Sequence, residues 1–395
     1  MRRLIILGLV AIVVGGCNLP NKQKIEAYKR WHRARAQMIC SVGSERLKVG
    51  ELDKALDAAN QALILDPECV PGRILLGKVL LAKGRYAQAS EEFRKADEIR
   101  PKNAETLYLL GVALEKGGDH AEAQECYRRA GELDPSNAAY VTARAEVLAA
   151  MGKPKEALAL LEDRLAGADD EAPVLALAGE LAMLVGEPAK AAELYQRCLD
   201  MSPDSRLAME SLAKAHFFAG HYARALEMLK KLSEHPEHRK SVWACVMTGD
   251  SYLGLGQPKP ASAAYEAALE LDGAAAPVWV RLAKAALAAG DDARAAEAAR
   301  QALALEKQSL EATVVLGYAL LRQGQLSEAT ALLAAAAERN PDDAMLGCML
   351  GRCYAAQGQS DRAADCYRRV LRSDPEHRLA RALLAASGAA SDGTR

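Results

Sequence analysis

Hydrophobic, small and polar positions along the chain recur at a fixed interval. Five residues after one repeated glycine stands an alanine, and nine residues after most of these glycines stands a large apolar side chain. The glycines are evenly spaced, and only the step from Gly220 to Gly256 is longer than the others: Gly50, Gly84, Gly118, Gly152, Gly186, Gly220, Gly256, Gly290, Gly324 and Gly358. This repetition predicts an array of one structural unit, in which each unit buries its apolar face against its neighbours.

Numbering the first unit from Ala36, so that the repeated glycine is position 15, gives six units over 36–239 and four units over 242–377. Within a unit, positions 5 and 12 are predominantly apolar, whereas position 9 is polar and of mixed charge. Position 8 is always glycine or alanine, and position 24 is large in eight units: Phe93, Tyr127, Leu161, Tyr195, Leu229, Tyr265, Leu333 and Tyr367. A proline closes six units: Pro67, Pro101, Pro135, Pro203, Pro341 and Pro375.

Together these residues and their spacing resemble the tetratricopeptide repeat (TPR), a helix-turn-helix unit that spans about 34 residues. The resemblance covers about 36–377 and implies that each unit consists of a helix A, a left-handed glycine turn and a helix B. The small residues are then expected where the two helices approach closely. The predicted fold class is all-α, a right-handed superhelical solenoid of about ten TPR helix-turn-helix units with a C-terminal capping helix.

Residues 378–395 are predicted to form the capping helix and a frayed tail. The leucines of this helix are predicted to face inward and its arginines outward: Leu379, Leu383, Leu384, Arg378 and Arg381. The two-residue insertion lies within 233–241 and predicts a local kink that divides the superhelix into arms of six and four units.

Residues 1–16 have the pattern of a signal peptide, with two arginines before an apolar run from Leu4 to Val14. This run is shorter than the roughly 20 residues that a transmembrane helix needs. Two glycines followed by Cys17 resemble the lipobox of bacterial lipoproteins, which implies a lipid anchor on Cys17 after cleavage before it. Because Asn18 rather than aspartate follows, the outer membrane facing the periplasm is favoured. An uncleaved short anchor and an ordinary signal peptide stay open as alternatives.

Residues 17–35 join this cysteine to the first unit and carry six basic residues against one acidic residue, Glu26. Ile25, Tyr28 and Trp31 are three residues apart, which predicts a short amphipathic basic helix. Two interpretations are open. The helix rests on anionic lipid headgroups beside the anchor, or it caps the first unit with a solvated basic face.

The formal net charge of −1 gives no global field that would attract nucleic acid, so we expect no nucleic-acid partner. Besides Cys17 there are eight cysteines, and most fall at helical positions where a small apolar residue packs. They are therefore predicted to be buried free thiols, although an exported protein permits disulfides. Cys353 and Cys366 are on the two helices of one unit and form the one pair that the register singles out.

No catalytic signature stands in the sequence: there is no glycine-rich phosphate loop, no Gly-x-Ser-x-Gly, no His-Glu-x-x-His and no Cys-x-x-Cys. His235 and His238 are the nearest approach to a metal pair, but the tetrapeptide Pro-Glu-His-Arg recurs at 375–378, which favours a helix-ending turn. The repeats occupy nearly all of the chain after Cys17. We therefore expect a protein that is not an enzyme and that has no cofactor and no metal site.

In the TPR family the concave surface is lined by helix A, and its rows here combine apolar and charged side chains. Such a groove suits an extended or helical peptide with apolar anchors. The candidate groove residues are Lys78, Tyr108, Met183, Lys214, Phe217, Phe218, Lys284, Tyr318 and Arg352. Chaperone-binding members clamp a carboxylate with Lys and Asn, and no unit here has Asn at position 9. Part of position 12 is expected to be packed between helices.

The predicted function is a membrane-anchored scaffold of the bacterial cell envelope that binds envelope proteins or peptides in its groove. The layout is similar to that of TPR lipoproteins that assist type IV pili, secretion channels or polysaccharide exporters. The alternative is a glycan-associated spacer lipoprotein without a peptide ligand. A third hypothesis, an enzyme or accessory subunit with ligands from His235 and His238, requires a bound metal.

Overall fold

The computed structural model describes residues 21–167, 170–234 and 241–387. All regular structure in these ranges is α-helical, in 21 helices. The chain divides into two compact units, Met1–Met201 and Ser202–Arg395.

The described part of the first unit is a series of ten helices in which each helix packs against the next. Odd-numbered helices are the A helices of successive repeats and even-numbered helices are the B helices. Their bounds are α1 Asn21–Lys48, α2 Leu52–Leu65, α3 Val70–Ala82, α4 Tyr86–Ile99, α5 Ala104–Gly117, α6 His120–Leu133, α7 Ala138–Ala150, α8 Pro154–Gly167, α9 Ala172–Leu184 and α10 Pro188–Met201.

The second unit continues the same alternation of A and B helices. Its helices in the described ranges are α11 Arg206–Phe218, α12 Tyr222–Glu234, α13 Val242–Gly254, α14 Pro258–Leu271, α15 Ala276–Ala289, α16 Asp292–Leu305, α17 Leu310–Arg322, α18 Leu326–Arg339, α19 Ala344–Ala356, α20 Ser360–Ser373 and α21 Arg378–Ala386. The predicted kink at the insertion stays a prediction, because residues 235–240 lie outside the described part of the chain.

The turn between helices A and B has one backbone conformation throughout. All ten repeated glycines have positive φ, from 67° at Gly256 to 89° at Gly118. An L side chain is costly in this left-handed region, so glycine caps helix A and reverses the chain. The glycine prediction is confirmed. Helix B, in turn, ends two residues before each closing proline, which cannot continue it.

Most A helices begin with a side chain that accepts a hydrogen bond from the first turn. Asn103 accepts from the Thr106 amide at 2.9 Å, and Asp343 accepts from the Leu346 amide at 2.8 Å. Such N-caps satisfy amides that have no partner inside the helix. The last residue of one repeat therefore sets the start of the next repeat. The same position holds Ser205, Ser241, Ser309 and His377 as caps.

Within a repeat, the two helices approach most closely at position 8. A Cβ at Gly111 would lie 2.5 Å from Cε1 of Tyr127, and a Cβ at Gly249 would lie 2.5 Å from Cε1 of Tyr265. Repeats that have leucine at position 24 can instead have alanine at position 8, as Ala145 with Leu161, both fully buried. The small and large positions therefore complement each other in size, as the sequence predicted.

The basic helix predicted for the N-terminal segment is not short. It is continuous with helix A of the first repeat, so that α1 runs unbroken through 28 residues. From Ala36 onward one face of α1 is buried, with Ala36 and Cys40 in the core of the first repeat. Ile25 and Tyr28, by contrast, are exposed, so these two side chains do not cap the first unit.

The C-terminal capping helix α21 forms as predicted, and Arg378 and Arg381 are exposed. The inward position of Leu379 was wrong, since 44% of this residue is exposed. Ala380 is fully buried instead and packs with Cys348 and Val370, with Leu383 against the same cluster. The inward face of α21 therefore begins one residue later than predicted.

Candidate partner-binding face

Two lysines of the predicted groove are held by a glutamate of the next repeat. Lys78 Nζ lies 2.9 Å from Glu105 Oε1, and Lys284 pairs with Glu311 in the same way. In both pairs position 9 of one A helix meets position 2 of the next A helix, 27 residues later. These exposed ion pairs contribute at most about 1 kcal/mol each and leave the lysines accessible to an acidic ligand.

Lys214 occupies the same register, but its partner is aromatic. Its Nζ lies 4.8 Å from the ring centroid of Trp243, at position 2 of the next repeat. A second cation–π contact has Arg352 at 5.4 Å from the ring of Tyr318, which Arg322 also approaches at 5.9 Å. The helix A face of the second unit therefore carries paired cations and aromatic rings.

Tyr108 belongs to an aromatic group on the helix A face of the third repeat. Its ring centroid lies 5.6 Å from that of Tyr127 and 5.4 Å from that of Tyr140. Burial raises the pKa of the half-buried Tyr108, and the nearby Glu146 adds to the shift. One edge of this group is therefore open to a ligand, while the rest is core.

Carboxylates are anchored on this face by buried tyrosines. The Tyr127 hydroxyl donates to Glu115 Oε2 at 2.7 Å, and the Tyr265 hydroxyl donates to Asp250 Oδ1 at 2.6 Å. Burial, followed by the hydrogen bond to the carboxylate, raises the pKa of each tyrosine above its ordinary range. The aromatic residue of helix B thus fills the core and fixes a charged group on the surface of helix A.

Phe217 and Phe218 differ in exposure. Phe217 is half-buried and contacts Tyr222, with ring centroids 5.6 Å apart. Phe218 is 63% exposed and meets Phe217 edge to face at 5.4 Å. Of the two rings, Phe218 is therefore the accessible one, and Phe217 packs beside it. Met183 is likewise half-buried, with the adjacent Leu184 exposed.

The apolar row at position 12 is half-buried in nine of the ten repeats, and Ala355 in the tenth is exposed. The nine predicted groove residues belong to separate compact units. Lys78, Tyr108 and Met183 are in the first unit, and the other six are in the second unit. Whether one ligand can contact all nine residues is untested, so the residue set stays a prediction.

Sequence reasoning missed the residues at position 2 that complete these contacts, Glu105, Trp243 and Glu311. The signal was present, because a spacing of 27 residues relates the two glutamates to a lysine at position 9 of the preceding repeat, and Trp243 stands in the corresponding place after Lys214. It also missed a pair of buried thiols: Cys40 Sγ lies 3.9 Å from Cys69 Sγ. Of the eight cysteines in the described ranges, the predicted burial is found for six, whereas Cys245 and Cys366 are half-buried.

The predictions about histidine and metal sites can be compared with the structure only in part. His235, His238 and Cys17 lie outside the described residues, and so does the signal-peptide and lipobox region. Over the described ranges, no group of three or more His, Cys, Asp or Glu side chains is arranged to hold a metal ion. His216 is buried in the last turn of α11, and burial lowers its pKa.

No helix within the described ranges combines the length and the apolar character that crossing a membrane requires.

Family models described as tetratricopeptide repeat match most of the chain, at residues 43–104, 80–147, 138–163, 182–244, 246–309, 286–347 and 348–377. The chain belongs to the tetratricopeptide repeat family. The all-α TPR solenoid predicted from the period is thereby confirmed, and the TPR fold is in general a non-catalytic scaffold for protein interactions.

The chain is also similar, at low sequence identity, to several solved structures. YrrB, a TPR protein with an unusual peptide-binding site, is 21% identical over 48% of this chain and 97% of its own, with a TM-score of 0.42. A TPR protein from Parabacteroides merdae is 19% identical, covering 72% of this chain and 98% of its own, with a TM-score of 0.43. The APC/C hetero-tetramer Cut9–Hcn1 is 13% identical, covering 96% of this chain and 98% of its own, with a TM-score of 0.43. No curated protein matches the chain in sequence.

Proposed function

We propose that this TPR protein is a membrane-anchored, non-catalytic scaffold of the bacterial cell envelope that binds protein partners through its helix A faces. Assembly of a pilus, a secretion channel or a polysaccharide exporter is the proposed setting. The observation that carries the proposal is the exposure of Phe218 beside Phe217 on α11, one turn from the Lys214–Trp243 pair. Large aromatic side chains flanked by cations are typical anchors of protein interfaces.

The chemistry of this face favours a peptide with apolar and acidic residues. An apolar side chain gains from burial against Phe218, at roughly 25 cal/mol per Å² of apolar area. An acidic group gains from Lys214, whose ammonium faces an indole ring rather than a carboxylate. Lys284, already paired with Glu311, offers less to the same ligand.

The proposed anchor is lipid attached to Cys17, which keeps the scaffold at the outer membrane on the periplasmic side. Three acyl chains would hold the protein far more firmly than the marginal binding of a single chain. Replacement of this residue, Cys17→Ser, should release the chain from membranes or stall its processing. Unchanged membrane retention and unchanged size of the variant would refute the anchor while leaving the groove proposal standing.

The partner-binding proposal is tested by in-cell photo-crosslinking from a photoreactive phenylalanine analogue at position 218. We expect one discrete protein adduct, identified by mass spectrometry, that is lost when Lys214 is changed to Glu. The matched control is the same analogue at Ile64, which is also highly exposed but lies on α2, a B helix of the first unit. The same adducts from both positions, or no adduct from position 218, would favour the alternative, a glycan-associated spacer with no peptide ligand.

A further inference from the structure

We propose that the exposed face of α1 lies on an anionic lipid surface. Five large apolar residues of α1 are exposed, and they form the α1 stripe: Ile25, Tyr28, Trp31, Met38 and Val42. Their exposed fractions range from 41% at Trp31 to 72% at Met38. No other helix in the described ranges exposes as many large apolar side chains, so the stripe needs an occupant.

The position of α1 in the array explains why the stripe is open. The next A helix, α3, packs against the preceding helix α2 and against its own partner α4. Among the described residues, α1 packs mainly on α2 and, less extensively, on α3. A groove of about 490 Å³ runs beside α2, and the α1 side of it includes Met38, Ile39 and Val42. The fold itself therefore leaves this face of α1 uncovered.

Charge decides the kind of occupant. From Asn21 to Arg35 the helix carries six basic residues and one acidic residue, an excess of positive charge on about four turns. The Arg35 guanidinium lies 5.2 Å from the ring centroid of Trp31, and Arg33 reaches Asp66 of the first repeat at 3.6 Å. Apolar and aromatic residues flanked by lysine and arginine are the composition of helices that lie in the headgroup region of anionic bilayers.

This inference shares the membrane setting of the proposed function, but it does not require lipid on Cys17. Tyr28 and Trp31 carry polar ring atoms that suit the boundary between headgroups and acyl chains. The occupant is thus a lipid surface of negative charge.

The test is quenching of tryptophan fluorescence by brominated lipids, with the full chain reconstituted into vesicles. We expect quenching on brominated phosphatidylglycerol vesicles to be several-fold stronger than on brominated phosphatidylcholine vesicles, and to fall in high salt. The variant Trp31→Phe should lose this component, since Trp31 is the only tryptophan of α1. Equal, weak quenching on both kinds of vesicle would overturn the proposal.

Charge reversal provides the matched comparison. The double variant Lys29→Glu with Arg30→Glu should abolish the preference for anionic vesicles, whereas Lys230→Glu with Lys231→Glu, the same change on α12, should preserve it. If Trp31 resisted quenching and its emission shifted with protein concentration, a second copy of the chain, rather than lipid, would cover the α1 stripe. Either result leaves the adduct from position 218 unaffected, so failure here is distinguishable from failure of the scaffold proposal.

A separate observation carries a second proposal, on the thiols of Cys40 and Cys69. Their Sγ atoms are 3.9 Å apart, both residues are buried, and they join α1 to the residue that precedes α3. We infer that this pair forms a disulfide when the protein meets a disulfide oxidant. The two thiols lose two protons and two electrons, a bond forms between the sulfur atoms, and the oxidant is reduced to two thiols.

Burial raises the pKa of Cys40 to about 12, with Cys69 adding to the shift, so the thiolate is scarce and the reaction is slow in the closed protein. Cys69 follows the turn that contains Pro67, and a local adjustment there can bring the sulfur atoms to the bonded distance of about 2.05 Å. A disulfide at this place would tie α1 to the body of the first repeat.

The test is incubation of the full chain with glutathione disulfide, followed by alkylation in denaturant and peptide mass spectrometry. We expect a cross-linked peptide joining Cys40 and Cys69, and a higher melting temperature than that of the equally treated Cys69→Ser variant. The control is Cys198→Ser, which removes a buried thiol whose contact is the Ala172 carbonyl. Full alkylation of both thiols, or separate glutathione adducts on each, would contradict the inference.

Discussion

The third and fourth repeats, 104–137 and 138–171, solve one packing problem in two ways. The third repeat has Gly111 against Tyr127, and the Tyr127 hydroxyl holds Glu115 on the surface of helix A. The fourth repeat has alanine and leucine at the equivalent positions, and no hydroxyl extends from its helix B residue. Its inner carboxylate, Glu146, accepts no hydrogen bond from the described residues. The residue of helix B at the crossing thus decides whether a hydroxyl is available to hold a carboxylate on the helix A face.

The largest effect is expected from a variant that disrupts the tighter of the two helix crossings, Gly111 against Tyr127. In the variant Gly111→Ala, the new Cβ meets the buried ring of Tyr127, and overpacking of this kind costs about 1–3 kcal/mol. The midpoint of denaturant unfolding followed by circular dichroism measures it. Adding Tyr127→Leu recreates the pair of the fourth repeat and should restore most of the loss. A double variant no more stable than the single one would show that size complementarity is not the cause.

A second prediction concerns adjacent glycines in the same repeat. The variant Gly118→Ala forces alanine to φ near 89° and should cost about 1–2 kcal/mol. Gly117 is helical, and a Cβ there would find only an ordinary contact, 3.8 Å from Tyr86 Cβ. The fourth repeat has Met151 at that position, so Gly117→Ala should be neutral or slightly stabilising. Melting temperatures of the two variants should therefore move apart, and equal losses would contradict the assignment.

Loss of one hydroxyl should have a smaller effect. In Tyr127→Phe the ring remains but the hydrogen bond to Glu115 is lost, at about 1 kcal/mol. Because burial and this hydrogen bond raise the pKa of Tyr127, its contribution is complete below the ordinary tyrosine pKa and declines as the pH rises through the folded value. The stability difference between the two proteins should therefore narrow in alkali. A difference that widens with pH would be incompatible with this view.

The smallest effect is expected in the fourth repeat. Burial raises the pKa of Glu146, and the nearby Glu115 and Glu180 add to the shift. The ionised carboxylate is therefore less stable in the folded protein than in the unfolded chain. Glu146→Gln should then stabilise at neutral pH, by less than about 0.5 kcal/mol. The advantage should vanish as the pH falls through the raised value and Glu146 becomes protonated. Unfolding midpoints measured over an acidic pH series test this prediction. If the stabilisation by Glu146→Gln grew as the pH fell, the pKa of Glu146 would be lowered in the folded protein rather than raised.

The sequence alone predicted the features that repeat in every unit. The ten turns, the crossing of small and large residues and the ends of the B helices follow from backbone conformation and side-chain volume, which the period makes visible. Contacts between one repeat and the next were harder to predict. The contact of Trp243 with Lys214 depends on which rotamers meet across two repeats, and it occurs only once in this form among the described residues. The Cys40–Cys69 contact lies within the first repeat, but it too depends on rotamers that the period does not specify.

The N-terminal helix shows a different limit of prediction. A three-residue spacing of Ile25, Tyr28 and Trp31 revealed an amphipathic helix but not that it runs on into the first repeat. No glycine or proline stands between Asn21 and Val42, so nothing in the sequence ends the N-terminal helix before helix A of the first repeat. This absence was the signal from which a continuous helix could have been predicted. The exposure of Phe218 was also beyond the sequence, because neighbours on the chain do not determine which of two adjacent rings is covered.

The uniform glycine turn has a consequence for how such a protein can change over generations. Because every A-to-B turn has the same left-handed geometry, from Gly50 to Gly358, cutting out or duplicating one whole repeat joins equivalent backbone to equivalent backbone. The new junction would have the cap, turn and crossing of the old one. Repeat number is therefore a heritable quantity that unequal recombination can alter in whole steps, without redesign of any single helix.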